Sequence, residues 1–196
     1  GGGGAAGAGG APLALFRASR KHVAFAVYAA SDLPKMDTFG SVDCYVRVRL
    51  GEQEVRTEYK ANTYAPAWDQ LFCLELHAAA RAQSPEGLAF LFYDHDTFKS
   101  DDYIGQVTVA WSAIDGREVE LPILGGPAPG ATDGTRRGFA RLQVAYAQVL
   151  GRDFRQGMAL TKDHFVELEA VALGGGGGGG DWGASARALP SFPGAP

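Results

Sequence analysis

Between residues 22 and 147 the sequence alternates. Eight short runs place apolar side chains at every second position, with turn-forming residues between them, which is the pattern of half-buried β-strands. Residues 22–29 set Val23, Phe25 and Val27 against smaller neighbours. Residues 43–50 put Val46, Val48 and Leu50 on one face and Tyr45, Arg47 and Arg49 on the other. Residues 54–60 turn Arg56, Glu58 and Lys60 outward. Residues 68–76 carry Leu71, Cys73 and Glu75 on one side and Phe72, Leu74 and Leu76 on the other. Residues 88–93 are continuously apolar, as expected of a strand buried on both faces. Runs at 104–111, 117–121 and 138–147 complete the set, and few helical patterns interrupt it. This predicts an all-β fold, an eight-stranded antiparallel β-sandwich. Residues 121–137, rich in glycine and proline, read as a loop between the last two strands.

The alternating middle lies between two low-complexity ends. Of 28 glycines, 16 fall in residues 1–10 and 174–196. We therefore expect a disordered Gly/Ala-rich leader over 1–19, the sandwich over 20–148, an extension over 149–173, and a disordered Gly-rich tail over 174–196. Within the extension, residues 162–173 read as a short helix with Phe165, Leu168 and Val171 on one face, or as a stray strand. Apolar residues at 46% exclude disorder of the whole chain. The two cysteines, Cys44 and Cys73, fall on predicted strands and suit a reduced, cytoplasmic setting better than a disulfide scaffold. No run is apolar for long enough to predict a transmembrane helix. The chain opens on glycine without methionine and reads as an excerpt from a longer protein.

Acids outnumber bases 22 to 18, a balance that argues against nucleic-acid binding. The acidity is local. Six of the 22 acids are Asp37, Asp43, Asp94, Asp96, Asp101 and Asp102; without them the balance would be +2. They sit in two loops, residues 31–43 and 94–102, each following one predicted strand and preceding another. Loops of this kind can gather at one end of an antiparallel sandwich. Carboxylates converging there would repel one another, and a hard cation is the natural remedy, because Ca²⁺ accepts about 6–8 oxygen ligands in irregular geometry. Soft metals want sulfur or imidazole, which this cluster lacks apart from His95. The plain alternative is that aspartates form turns and solubilise loops. The second loop is not an EF-hand: counting from Asp94, the sixth position is Lys99 and the twelfth is Gly105, where glycine and glutamate are needed.

These pieces occur in a set order: Ala30-Ser31-Asp32-Leu33-Pro34, Asp37, Asp43-Cys44-Tyr45-Val46, Thr63-Tyr64-Ala65-Pro66-Ala67-Trp68, Phe92-Tyr93-Asp94-His95-Asp96 and Asp102-Tyr103-Ile104-Gly105. Together they span most of residues 21–148, and in order and spacing the region resembles the C2 domain family. That resemblance implies a β-sandwich whose apical loops bind calcium, two or three ions, and then dock on phospholipid. The five ligand positions it implies are Asp37, Asp43, Asp94, Asp96 and Asp102, with Asp101 a bystander or an outer, water-bridged ligand. Two departures stand out: Cys44 replaces a usual proline, and Ala65 replaces a usual asparagine. The absence of a clear strand before His22, with a strand-like 139–147 closing the domain, resembles the circularly permuted form of the fold.

The expected function is calcium-dependent binding to anionic phospholipid, targeting a larger parent protein that is cytoplasmic and becomes peripheral on membrane. Phe39 and Phe98 fall at or near the loop tips and either insert among headgroups or pack the loop base. Arg47, Arg49, Arg56 and Lys60 form a candidate headgroup-binding face, although Glu52, Glu54 and Glu58 dilute it and a plain solvated face is the simpler reading. An enzyme finds little support: there is no Gly-x-Ser-x-Gly, P-loop or zinc spacing, and the histidines are scattered. The rival is a calcium-independent protein-interaction module of the same fold.

Overall fold

A computed structural model describes residues 16–36, 41–149 and 155–159. Residues 1–15 of the expected leader, the segment 162–173, the Gly-rich tail, and the site residues Asp37 and Phe39 lie outside the described residues, whereas residues 16–19, expected to be disordered, belong to a strand. The elements, in chain order, are β1 (Phe16–Ser31), β2 (Cys44–Leu50), β3 (Gln53–Arg56), β4 (Ala67–Glu75), α1 (Ala78–Gln83), β5 (Leu88–Asp94), β6 (Asp102–Val109), a 3₁₀ turn (Trp111–Ala113), β7 (Glu118–Leu124), β8 (Arg136–Val149) and β9 (Met158–Ala159).

All eight expected strands are present, and β9 adds a short ninth. Hydrogen bonds run in the order β3-β2-β5-β6-β7-β8-β1-β4-β9. The joint between β6 and β7 is a single pair, Gln106 with Leu124. There the sheet curls into two layers, β3-β2-β5-β6 against β7-β8-β1-β4. Phe25 of β1 accordingly meets Phe90 of β5, four places away in the strand order, edge to face with centroids 5.3 Å apart. The alternation reads out as expected: Val23, Phe25 and Val27 of β1, Val46, Val48 and Leu50 of β2, and Phe72 and Leu74 of β4 all enter one core. The closing strand β8 lies between β7 and β1 rather than at an edge, the permuted arrangement that the resemblance implied.

Several boundaries differ from the sequence reading. β1 starts at Phe16, before the expected beginning of the domain, because Phe16 and Arg17 pair with Val149 and Gln148. β3 stops at Arg56 instead of running on to Lys60. Thr57 turns inward, and its Oγ1 accepts the Val46 N–H at 2.9 Å, so a side chain takes the place of a ladder carbonyl. β7 continues through Pro122 to Leu124 where a loop was expected. It meets β6 through one pair, so it is close to an edge strand, where proline's missing donor costs little. The sequence reading also missed α1, whose Ala-Ala-Ala-Arg-Ala-Gln run favours helix. His77 caps it, with Nδ1 accepting the Ala80 N–H at 3.0 Å.

Gly105 marks the joint between the layers. A Cβ there would stand 2.6 Å from the Leu124 carbonyl oxygen and 2.9 Å from Ile123 Cγ2. Gly105→Ala is therefore expected to force β6 away from β7 and to cost about 1–3 kcal/mol in a urea unfolding titration.

Candidate metal and membrane site

The strand ends place the acidic residues. β2 begins just after Asp43, β5 ends at Asp94, and β6 begins at Asp102. Asp94 lies opposite Cys44 on one side and opposite Asp102 on the other. Asp43, Asp94 and Asp102 thus share one end of the sandwich, and Asp96 lies in the loop that leaves β5. Asp94 is 5% exposed, and its Oδ1 accepts the Asp43 N–H at 2.7 Å. The Asp43 Oδ1 accepts the Asn62 N–H at 2.7 Å, and the Asp43 carbonyl accepts the His95 N–H at 3.0 Å. Asp96 Oδ1 accepts the N–H groups of Phe98 and Lys99 at 2.9 and 3.2 Å. The Phe98 N–H, aided by Lys99, holds the Asp96 carboxyl below its ordinary value.

The fit to a cation rests on donor chemistry and on a stand-in. Every candidate ligand is a carboxylate, a hard oxygen donor. A cation already stands between two of them: the Lys99 ammonium is 2.8 Å from Asp102 Oδ2 and 3.3 Å from Asp96 Oδ2. Among the described residues, no three His, Cys, Asp or Glu side chains form a ready-made metal-holding group.

Asp101 is engaged differently. Its carboxylate accepts the Tyr45 hydroxyl at 2.7 Å and the Asp96 N–H at 3.1 Å, and contacts His95 Nδ1 at 3.0 Å. Burial opposes its ionisation, yet these hydrogen bonds together keep its carboxyl below the usual range. It pins the loop to β2.

Exposed aromatics collect at the same end. Among the described residues the exposed large hydrophobics are Tyr59 at 54%, Tyr64 at 39% and Phe98 at 98%. Tyr59 lies against His95 with ring centroids 4.8 Å apart, and the Tyr64 carbonyl accepts the Leu33 N–H at 3.1 Å. The loop of residues 57–66 thus joins the two acidic loops. Sequence reading missed Tyr59 and Tyr64. The alternation expected over residues 54–60 would turn Tyr59 inward, but β3 ends at Arg56 and leaves it on the loop; Tyr64 stands in a turn-rich stretch that no alternation explains.

The basic candidates Arg47 and Arg56 face each other across β2 and β3, and Arg49 faces Glu54. Glu54 pairs with Arg49 at 2.6 Å and with Arg47 at 3.4 Å, and Lys60 pairs with Glu58 at 3.8 Å. The Arg47 guanidinium also lies 4.8 Å from the Tyr93 ring centre. Cys44 and Cys73 are buried free thiols; burial pushes Cys44 up strongly and Cys73 up to about 12, which keeps both unreactive.

A sequence model described as the C2 domain matches residues 21–122, just over half of the chain. The chain belongs to the C2 domain family. This C2 domain is 29% identical over 157 residues to BAI1-associated protein 3 of Mus musculus, covering 75% of this chain and 14% of that protein. It is 37% identical over 98 residues to Synaptotagmin-1 of Aplysia californica, covering 48% of this chain and 22% of that one. The chain therefore spans less than a quarter of the length of these relatives. In fold it is similar to a C2 domain of plant Extended Synaptotagmin 1, with a TM-score of 0.52, 18% identity, and coverage of 69% of this chain and 100% of that one. It is also similar to the calcium-bound pair of C2 domains of Extended-Synaptotagmin 2, with a TM-score of 0.51, 19% identity, and coverage of 67% and 47%.

Proposed function

We propose that this C2 domain binds anionic phospholipid membrane in a calcium-dependent manner and so brings a larger parent protein to the membrane surface. The observation that carries the reading is a coincidence of place: Phe98 is exposed on the loop that bears Asp96, and Tyr59 and Tyr64 are exposed on the adjoining loop of residues 57–66, which meets Asp43 through the Asn62 N–H and His95 through the Tyr59 ring. Residues that should meet a lipid boundary and residues that should meet a cation share one end.

The ligands would be Asp43, Asp94, Asp96 and Asp102, together with Asp37, which the sequence resemblance adds. Calcium, when bound, supplies positive charge and open coordination positions for phosphate or carboxylate oxygens of lipid headgroups. Without that charge the carboxylates oppose approach to the anionic leaflet. Lys99 neutralises part of the cluster and must give up Asp96 and Asp102 as they turn to the ion. Phe98 and Tyr59 then add apolar area at the headgroup boundary, where aromatic rings are favoured. Arg47, Arg49, Arg56 and Lys60 are a weaker candidate for headgroup contact, since Glu54 and Glu58 already take part of their charge.

Co-sedimentation tests this. The protein is expected to pellet with phosphatidylserine-containing vesicles in calcium, and to stay in solution with chelator or with phosphatidylcholine alone. Phe98→Ala and Tyr59→Ala are each expected to weaken vesicle binding about fivefold to tenfold, the effect of losing roughly half of a buried aromatic side chain. Vesicle binding indifferent to chelator would overturn the calcium dependence. Partner binding without lipid or calcium would favour the protein-interaction reading instead.

A further inference from the structure

β4 is the last long strand of its layer, and a bare strand edge offers a row of unpaired N–H and C=O groups to any extended chain. Three alternate residues, Leu71, Cys73 and Glu75, turn those groups away from β1. Each is answered in its own way. Gln53 lays its amide on Glu75, donating from Nε2 to the carbonyl at 2.7 Å and accepting the N–H at Oε1 at 2.8 Å. Gln156 repeats the device on Cys73: Oε1 accepts the N–H at 3.0 Å and Nε2 donates to the carbonyl. Gly157 donates its N–H to the Leu71 carbonyl at 3.0 Å and accepts from Gln70 Nε2 at 3.3 Å. Met158 and Ala159 then pair with Leu71 and Gln70 as β9.

The hold of residues 155–159 on this edge is backbone-like and shallow. Arg155, Gln156 and Ala159 are exposed, and Gly157 and Met158 are half-buried. Hydrogen bonds fasten the segment, not a deep apolar anchor. Its one strict demand is on the backbone: Gly157 has a left-handed φ of +73°, beside the Phe72 ring.

We propose that the β4 edge is an acceptor site for an extended peptide strand, occupied in cis by residues 155–159. Its partner in trans is an antiparallel segment carrying a Gln-Gly pair followed by small or unbranched apolar residues. The glutamine clamps Cys73, the glycine fits beneath Phe72, and the next residues continue the ladder; this is recognition by strand addition. The proposal is independent of calcium and lipid. The cis segment competes at an effective concentration of the order of millimolar, so a free peptide enters only as the resident leaves.

The test uses the full chain and a fluorescent peptide with the sequence Phe-Arg-Gln-Gly-Met-Ala-Leu, that of residues 154–160. Gln156→Ala with Gly157→Val releases the resident segment by removing the clamp and placing a β-branched residue at positive φ. By fluorescence anisotropy the peptide is expected to bind this variant at least tenfold more tightly than the wild type. A peptide N-methylated at its glycine lacks the donor for Leu71 and is expected to lose at least tenfold in affinity. No binding of the unmodified peptide to the folded variant, or equal binding of the methylated one, overturns the proposal. Should the double variant not fold, Gln156→Ala alone removes the Cys73 clamp from a surface side chain, leaves Gly157 in place, and is expected to raise affinity about threefold; no rise then overturns it equally.

Discussion

Phe25→Ala is expected to cost about 3–5 kcal/mol of folding stability, enough to leave the domain largely unfolded or barely folded at ordinary temperature. Phe25 is fully buried on β1 and holds both layers at once. It stacks on Phe72 of β4, in its own layer, with centroids 5.5 Å apart, and meets Phe90 of β5, in the opposite layer, edge to face at 5.3 Å. Alanine would remove a ring packed between β4 and β5, and strands held in ladders can collapse little into the void. The loss is the transfer energy of the ring plus the cavity left behind. Urea unfolding followed by tryptophan fluorescence measures it. Phe98→Ala, at a side chain 98% exposed, should stay within about 0.5 kcal/mol of wild type in the same assay.

Asp94→Asn combined with Asp96→Asn is expected to abolish the calcium-induced rise in Tm and calcium-dependent vesicle binding together. A ligand that binds only the folded state at a hundredfold excess over its Kd stabilises by about 2.7 kcal/mol per site. For a domain of this size that is a rise of roughly 5–10 °C. The substitutions remove two carboxylate charges and leave the local hydrogen bonds in place: an amide oxygen can still accept the Asp43 N–H at position 94 and the Phe98 N–H at position 96. The exposed Lys99 pair that is lost contributes little to folding. Tm without calcium should therefore be nearly unchanged. If calcium raises the Tm of the double variant as much as that of wild type, the ligand assignment is wrong.

Much of this was legible in the sequence, for a physical reason. A strand with one buried face must alternate, so Val23, Phe25 and Val27, or Val46, Val48 and Leu50, declare both the strand and its inner side. The acidic loops were legible because Asp43, Asp94 and Asp102 adjoin strand ends that alternation had already located. What alternation does not encode is the ladder's detail. Thr57 ends β3 with a side-chain oxygen, a substitution with no period. The closing of the β4 edge by Gln53 and Gln156 depends on two amides far apart in the chain. Tyr59 is hidden by an alternation that runs past the true end of β3, and Tyr64 by having no pattern at all; only the fold shows that their loop reaches the aspartates through Asn62.

The place of β8 bears on how the domain comes into being. Phe25 pairs with Val144, more than a hundred residues later, and β8 fills the gap between β7 and β1. During synthesis, β1 emerges first with its apolar face and must wait for almost the whole domain before its central neighbour exists. Contacts this distant in sequence slow folding, because the loop entropy is spent before the strands pair. Folding here is a late, single event, gated by the emergence of residues 136–149. A nascent chain halted before that point would present β1 and β7 with open flanks, a substrate for chaperones and a seed for misassembly.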